Sequence, residues 1–229
     1  MSTEENAKAI FKVVRERYKS SLVGSSNKKY DLDAEIFADA SPEVLVKRGM
    51  RNLKATMAHE RKGREAIIIG RAVGADPQSN LSADAMVGKQ IWNLNIQKLN
   101  CEELAKICCW KATEIPVPAY LGAFDPPADH ALCLVGTANT QPLNKIKGSL
   151  PIKDYKAATL TSDVWIVDVW LNTVCHVSDY PEKAATKLND WTKAGKRITF
   201  IPPGEDDEIW AAPSGDYATV FLNATMNWG

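Results

Sequence analysis

The chain has 229 residues, enough for one large domain or two small ones and for a substantial core without staples. Lys and Arg together number 28, as do Asp and Glu, so the formal charge is zero and the basic excess typical of a nucleic-acid binder is missing. Hydrophobic residues at 45% and charged residues at 24% exclude general disorder, and five cysteines, an odd number in a chain this long, exclude a complete disulfide framework.

The first residues, MSTEENAKAIFKVV, contain no basic stretch followed by a continuous apolar run, so no Sec-type signal is expected. The apolar runs fall well short of the roughly 20 residues that span a bilayer. Reduced thiols and this N-terminus suggest a cytoplasmic protein, or one passed by a specialised secretion system into a host cytosol. Ala7, Ile10, Phe11, Val14 and Tyr18 recur at helical spacing and predict an amphipathic helix from about Thr3 to Ser20. SSLVGSSNKK (20–29) reads as a loop. Ser41 and Pro42 predict the cap and first residue of a second helix, with Val46, Met50, Leu53 and Met57 as its apolar stripe. The charged run from His59 to Glu65 reads as a solvated face, and Gly70 to Lys89 as a connection. GRAVGA lacks the glycine spacing of a dinucleotide fingerprint, and no GxxxxGK[ST] element exists.

Asn100 to Ala112 predicts a helix, followed by proline-rich turns, IPVPAY and FDPPADH. HALCLVG (His130 to Gly136) and DVWIVDVW (Asp163 to Trp170) read as strands, separated by a polar stretch from Thr137 to Ser162. A helix is expected over Pro181 to Lys193, and RITFIPP, EIWAA and DYATVFLN read as short strands or extended segments. Helices first, then a helix followed by mainly antiparallel strands, make an α+β fold.

Chemistry concentrates around LNCEELAKICCWKA. With Asn100 as the cap, Cys101 begins a helix whose partial positive charge favours a thiolate, while Glu102 and Glu103 oppose this in part. A thiol nucleophile needs a base, and of His59, His130 and His176 only His130 opens an apolar strand directly after a turn. The base needs an orienting partner. Asp168 interrupts VWIVDVW, where a carboxylate is costly to bury unpaired, and strand alternation sets it on the face of Val164 and Ile166. Each residue has an ordinary alternative: a core thiol, a strand-end histidine, a turn carboxylate. Cys108, Cys109, Cys133 and Cys175 read as core. His130 with Cys133 and the adjacent Cys175 and His176 do not give zinc spacing, because residues three apart on a strand, like neighbours, point to opposite faces. No metal or cofactor is expected.

NCEELA resembles the nucleophile motif of papain-like bacterial effectors and transglutaminase-like enzymes; DHALCLVG resembles their histidine strand and VDVWLN their Asp motif, with Val169 where proline is frequent. The resemblance covers about Gln97 to Asn172. It implies a Cys101–His130–Asp168 triad, the Cys101 backbone N–H with the Gln97 amide as oxyanion donors, and Trp170 walling the cleft. It further implies a papain-like α+β fold, with the nucleophile helix packed on the sheet. The chain is expected to be one thiol-hydrolase domain over 1–229, with a helical subregion over 1–90 and the catalytic core over 91–229. The expected activity is a cysteine hydrolase, either glutamine deamidase or protease, acting on a protein in a host cell. Transglutaminase-type acyl transfer and a non-catalytic binding module on the same fold are the alternatives.

Overall fold

Helix α1 (Thr3–Lys19) follows its apolar repeat: Ala7, Ile10, Val14 and Tyr18 are buried and Phe11 is half-buried against the same core. The structure is a computed structural model that describes residues 1–19, 28–33, 35–50, 52, 81–95, 99–115, 117–136, 147–159 and 161–228. Strand β1 (Lys28–Tyr30) occupies the end of the segment expected to be a loop, because its backbone completes a small antiparallel sheet with β6 (Lys196–Phe200), which pairs in turn with β7 (Ile209–Ala211). Residues 42–50 form helix α2, opening at Pro42 as expected. Its expected stripe is displaced. Val46 and Met50 are 65% and 48% exposed, while Leu45, Arg48, Gly49 and Asn52 turn inward. Asn52 sets that rotation. Its amide accepts from the Tyr30 N–H (2.8 Å) and donates to the Tyr30 carbonyl (2.7 Å), closing the outer edge of β1. Leu53, Met57 and the charged run 59–65 lie outside the described residues.

Helix α3 (Ala83–Asn93) replaces the end of the expected connection. Ser82 caps it, accepting from the Ala85 N–H, and Ala85, Gly88 and Ile91 form its buried face. Helix α4 (Cys101–Glu114) lies alongside. β2 (Ala119–Phe124) was hidden between the two proline clusters; it is a strand because β3 (His130–Gly136) pairs along its whole length. Short helix α5 (Tyr155–Thr159), β4 (Val164–Asp168), β5 (Thr173–His176), helix α6 (Tyr180–Lys193), helix α7 (Asp216–Asn223) and β8 (Met226–Trp228) complete the order. The main sheet runs β5-β4-β3-β2-β8, antiparallel throughout, so the class is α+β. DYATVFLN is α7 rather than a strand. Tyr217 and Phe221, four apart, are buried together, and this packing overrides the β preference of Tyr, Thr, Val and Phe.

β3 is buried along its whole length because helices cover both faces. Cys133 meets Cys109 of α4 on one side, and the His130 ring packs on Phe221 of α7 on the other. The pairing Leu134↔Ile166 places the even-numbered residues of β3 and β4 on one face, and so puts His130 and Asp168 on the same side. α1 and α3 share the core with α4 and the sheet. Among the described residues no helix is long and apolar enough to cross a membrane.

α3 and α4 pack closely enough that a Cβ on Gly88 would lie 2.1 Å from the Lys106 carbonyl oxygen and 2.8 Å from the Ile107 nitrogen. Both are backbone atoms, so relief requires one helix to move. Gly88→Ala is expected to destabilise the fold by about 1–3 kcal/mol, read as a lower urea midpoint; an unchanged midpoint contradicts this packing.

Candidate functional site

Cys101 is the first residue of α4, as its sequence predicts. The Asn100 side chain accepts from the Glu103 N–H (3.0 Å), and the Glu103 carboxylate accepts from the Asn100 N–H (2.7 Å), a reciprocal cap. Glu103 is therefore committed to the helix start and Glu102 to Lys106. The two carboxylates feared as a brake on the thiolate both have local partners. The Cys101 N–H lies at the unpaired positive end of the helix. Cys101 is 6% exposed, and its thiol meets the Asp129 carbonyl at 4.0 Å. Asp129 itself is exposed, so the sulfur lies against the surface turn 125–129.

That turn delivers His130. The Ala128 and Asp129 N–H groups both donate to the Asp125 carbonyl, and Asp129 takes a positive φ of 39°. The next residue enters β3 with its ring among Phe124 (stacked, 6.1 Å between centroids), Trp170 (5.0 Å) and Phe221 (5.4 Å). Trp170, expected as a cleft wall, is buried against the imidazole and also makes an edge-on pair with Trp191. The His130 Nε2 lies 2.8 Å from Asp168 Oδ2. Its Nδ1 is buried and has no hydrogen-bond partner among the described residues. Nε2 donating to the carboxylate leaves the Nδ1 lone pair as the only basic position on the ring.

Asp168 ends β4 and is 1% exposed. Besides His130 it receives the Tyr180 hydroxyl on Oδ2 (2.7 Å) and the Leu171 N–H on Oδ1 (2.8 Å). Three donors explain how a carboxylate survives in an apolar strand. Tyr180 was not foreseen. It opens α6, twelve residues along the chain and across a turn, and its only sequence signal is that a buried carboxylate needs more than one donor. Burial, then the charge of Asp168, pushes the Tyr180 pKa well above its ordinary value, so the hydroxyl remains a donor. Burial pulls the His130 pKa down, but the charge and hydrogen bond of Asp168, with Cys101 adding to them, outweigh it and raise the pKa to about 10.

Gln97 lies outside the described residues, as does His59. His176 is engaged elsewhere, with Nδ1 on the Ser178 hydroxyl (2.8 Å) and Nε2 on the Ser162 carbonyl (2.6 Å). Cys108, Cys109, Cys133 and Cys175 are buried, as expected of core thiols. Chemically, the site offers a sulfur at a helix start, an imidazole ring oriented by a buried carboxylate on Nε2, and a first-turn backbone N–H with no partner among the described residues. Those are the parts of a nucleophile, a general base and an oxyanion donor.

A histidine whose pKa is raised by folding stabilises the protein fully below the unfolded value of 6.5, and that stabilisation is lost as the pH rises through about 10. Asp168→Asn removes the charge responsible. Its His130 ring is expected to titrate at lower pH by nitrogen-resolved NMR, and its stability relative to wild type to fall most in neutral and acidic solution. An unaltered His130 titration in this variant contradicts the pairing.

No protein-family model matches the chain, and no match was found among the curated proteins or the solved structures compared with it.

Proposed function

We propose that the chain is a cysteine-dependent amide hydrolase acting on a protein, with Cys101 as nucleophile, His130 as base and Asp168 as orienter. The observation that carries the reading is the His130 Nε2–Asp168 Oδ2 contact at 2.8 Å, with Nδ1 unpartnered among the described residues and the Cys101 thiol against the carbonyl of Asp129, the residue that precedes His130. In the first step the Cys101 sulfur attacks the amide carbon while His130 holds the thiol proton. The C–N bond then breaks, and His130 gives that proton to the departing amine, leaving a thioester on Cys101. Water then attacks the thioester, His130 removes its proton, and the sulfur leaves as the carboxylic product forms. The Cys101 N–H faces the oxyanion in both steps. Ammonia leaves when the amide is a glutamine side chain; a new N-terminus leaves when it is a peptide bond.

The resemblance of NCEELA, DHALCLVG and VDVWLN to effector-type thiol enzymes supports a host-cell protein as substrate and delivery by a specialised secretion system. Burial of the triad, with Cys101 at 6% exposure and His130 at 3%, favours transglutaminase-type transfer as the second reading, because a site that excludes water lets an amine resolve the thioester.

A eukaryotic cell lysate incubated with the protein and followed by mass spectrometry separates these outcomes. Deamidation adds about one dalton to a glutamine, proteolysis creates new termini, and transfer incorporates an added labelled amine. Cys101→Ala is expected to reduce the product by about a thousandfold or more, and His130→Ala comparably. Product formed equally by Cys101→Ala contradicts the assignment.

A further inference from the structure

Lys28 stands where neither the fold nor the triad requires a cation. It sits on β1, opposite Ile198 of β6, and is half-buried. Its ammonium lies 3.9 Å from the Trp191 ring centre and 4.7 Å from that of Trp170, the same indole that packs on His130. Lys196 adds a second cation over Trp191, at 4.7 Å. Indole faces stabilise cations, but they do not neutralise them.

The nearby carboxylates are already committed. Asp168 is enclosed by His130, Tyr180 and the Leu171 N–H. Asp31 is held by Arg197 at 2.9 Å. Among the described residues no carboxylate oxygen lies within salt-bridge distance of the Lys28 ammonium. Burial first, then the charge of Lys196, pushes the Lys28 pKa well below that of a free lysine, while Asp168 pulls it upward; Arg15 and Cys101 contribute less. Trp170, which faces this ammonium on one side and the His130 ring on another, joins it to the site, and the charge of the ammonium is poorly satisfied. An incoming anion relieves both the desolvation and the repulsion from Lys196.

From the two indole faces, the second lysine and the lack of a carboxylate partner, we infer that Lys28 is a specificity-determining residue that receives an anionic group of the substrate, a carboxylate next to the amide that Cys101 attacks. The inference rests on the amide-hydrolase reading and narrows its substrate class to protein segments with an acidic residue or a chain terminus at the reacting amide. Lys28 touches the substrate in this scheme and takes no part in proton transfer.

Two alkylating reagents of nearly equal size test the point without a known substrate. Iodoacetate and iodoacetamide both lose iodide as the Cys101 sulfur forms a bond to carbon, but only the first is an anion. The ratio of their rates at Cys101, normalised to the same ratio on glutathione, reports anion recognition and cancels any change in the reactivity of the sulfur itself. The expected ratio exceeds that of glutathione, falls about fivefold in Lys28→Gln, and is retained in Lys28→Arg. In wild-type protein it falls as salt is raised, which reads the same charge even if the substitution disturbs folding. A purely structural clamp between β1 and α6 predicts lower stability in Lys28→Gln with an unchanged ratio. Selective reaction of Cys101 with iodoacetamide, with a ratio indifferent to both Lys28→Gln and salt, overturns the inference and leaves the hydrolase reading standing. A Cys101 that reacts with neither reagent faster than the buried thiols overturns both.

Discussion

The Asp168 carboxylate organises the molecule around itself. It lies at the end of an apolar strand, almost entirely out of water, where an unpaired charge is not tolerated. Its three donors come from three different places: the start of β3, the start of α6 and the turn that follows β4. Satisfying this one charge therefore fixes the register of the central strands, the docking of α6 and the tautomer of His130. Losing any one donor leaves the carboxylate underserved, which is why the site and the core cannot be separated here.

The imidazole is similarly constrained. Phe124, Trp170 and Phe221 hold the ring, and Nε2 is committed to the carboxylate, so rotation is blocked and Nδ1 alone remains for chemistry. Cys101 reaches the same place from the opposite side of the sheet because α4 begins beside the turn that ends at Asp129. The other thiols lack this setting. The hydrogen-bond contact with Cys109, then burial, holds the Cys133 pKa far above the ordinary value; burial does so for Cys108 and raises Cys175 to about 12. Exposure does not set Cys101 apart from Cys109 and Cys175, which at 4% and 5% are nearly as accessible.

What the chain discloses in advance follows the range of the interaction. Asn100 before an apolar repeat, His130 at the first residue of a strand and Asp168 inside an apolar run are local signals, and the structure brings Asp168 and His130 into contact, with the Cys101 thiol against the residue before His130. Tyr180 and Lys28 are not local. Lys28 sits in a polar stretch that reads as loop, and the indoles it contacts lie more than a hundred residues away. Tyr217 and Phe221 show the same limit in another form: their residue types favour a strand, and only burial beside His130 and Tyr180 makes their segment a helix. The α2 stripe is displaced by a side-chain-to-backbone contact, Asn52 with Tyr30, that no apolar periodicity encodes.

The most direct measurement is the alkylation rate of each of the five cysteines in the folded protein, assigned by mass spectrometry, in wild type and in His130→Ala. If His130 activates the sulfur, Cys101 outpaces the other four despite their similar burial, and the substitution removes the advantage. A Cys101 that reacts no faster than Cys109 and Cys175, or one indifferent to the loss of the imidazole, contradicts a catalytic pair and leaves a buried histidine–carboxylate contact that serves the fold alone.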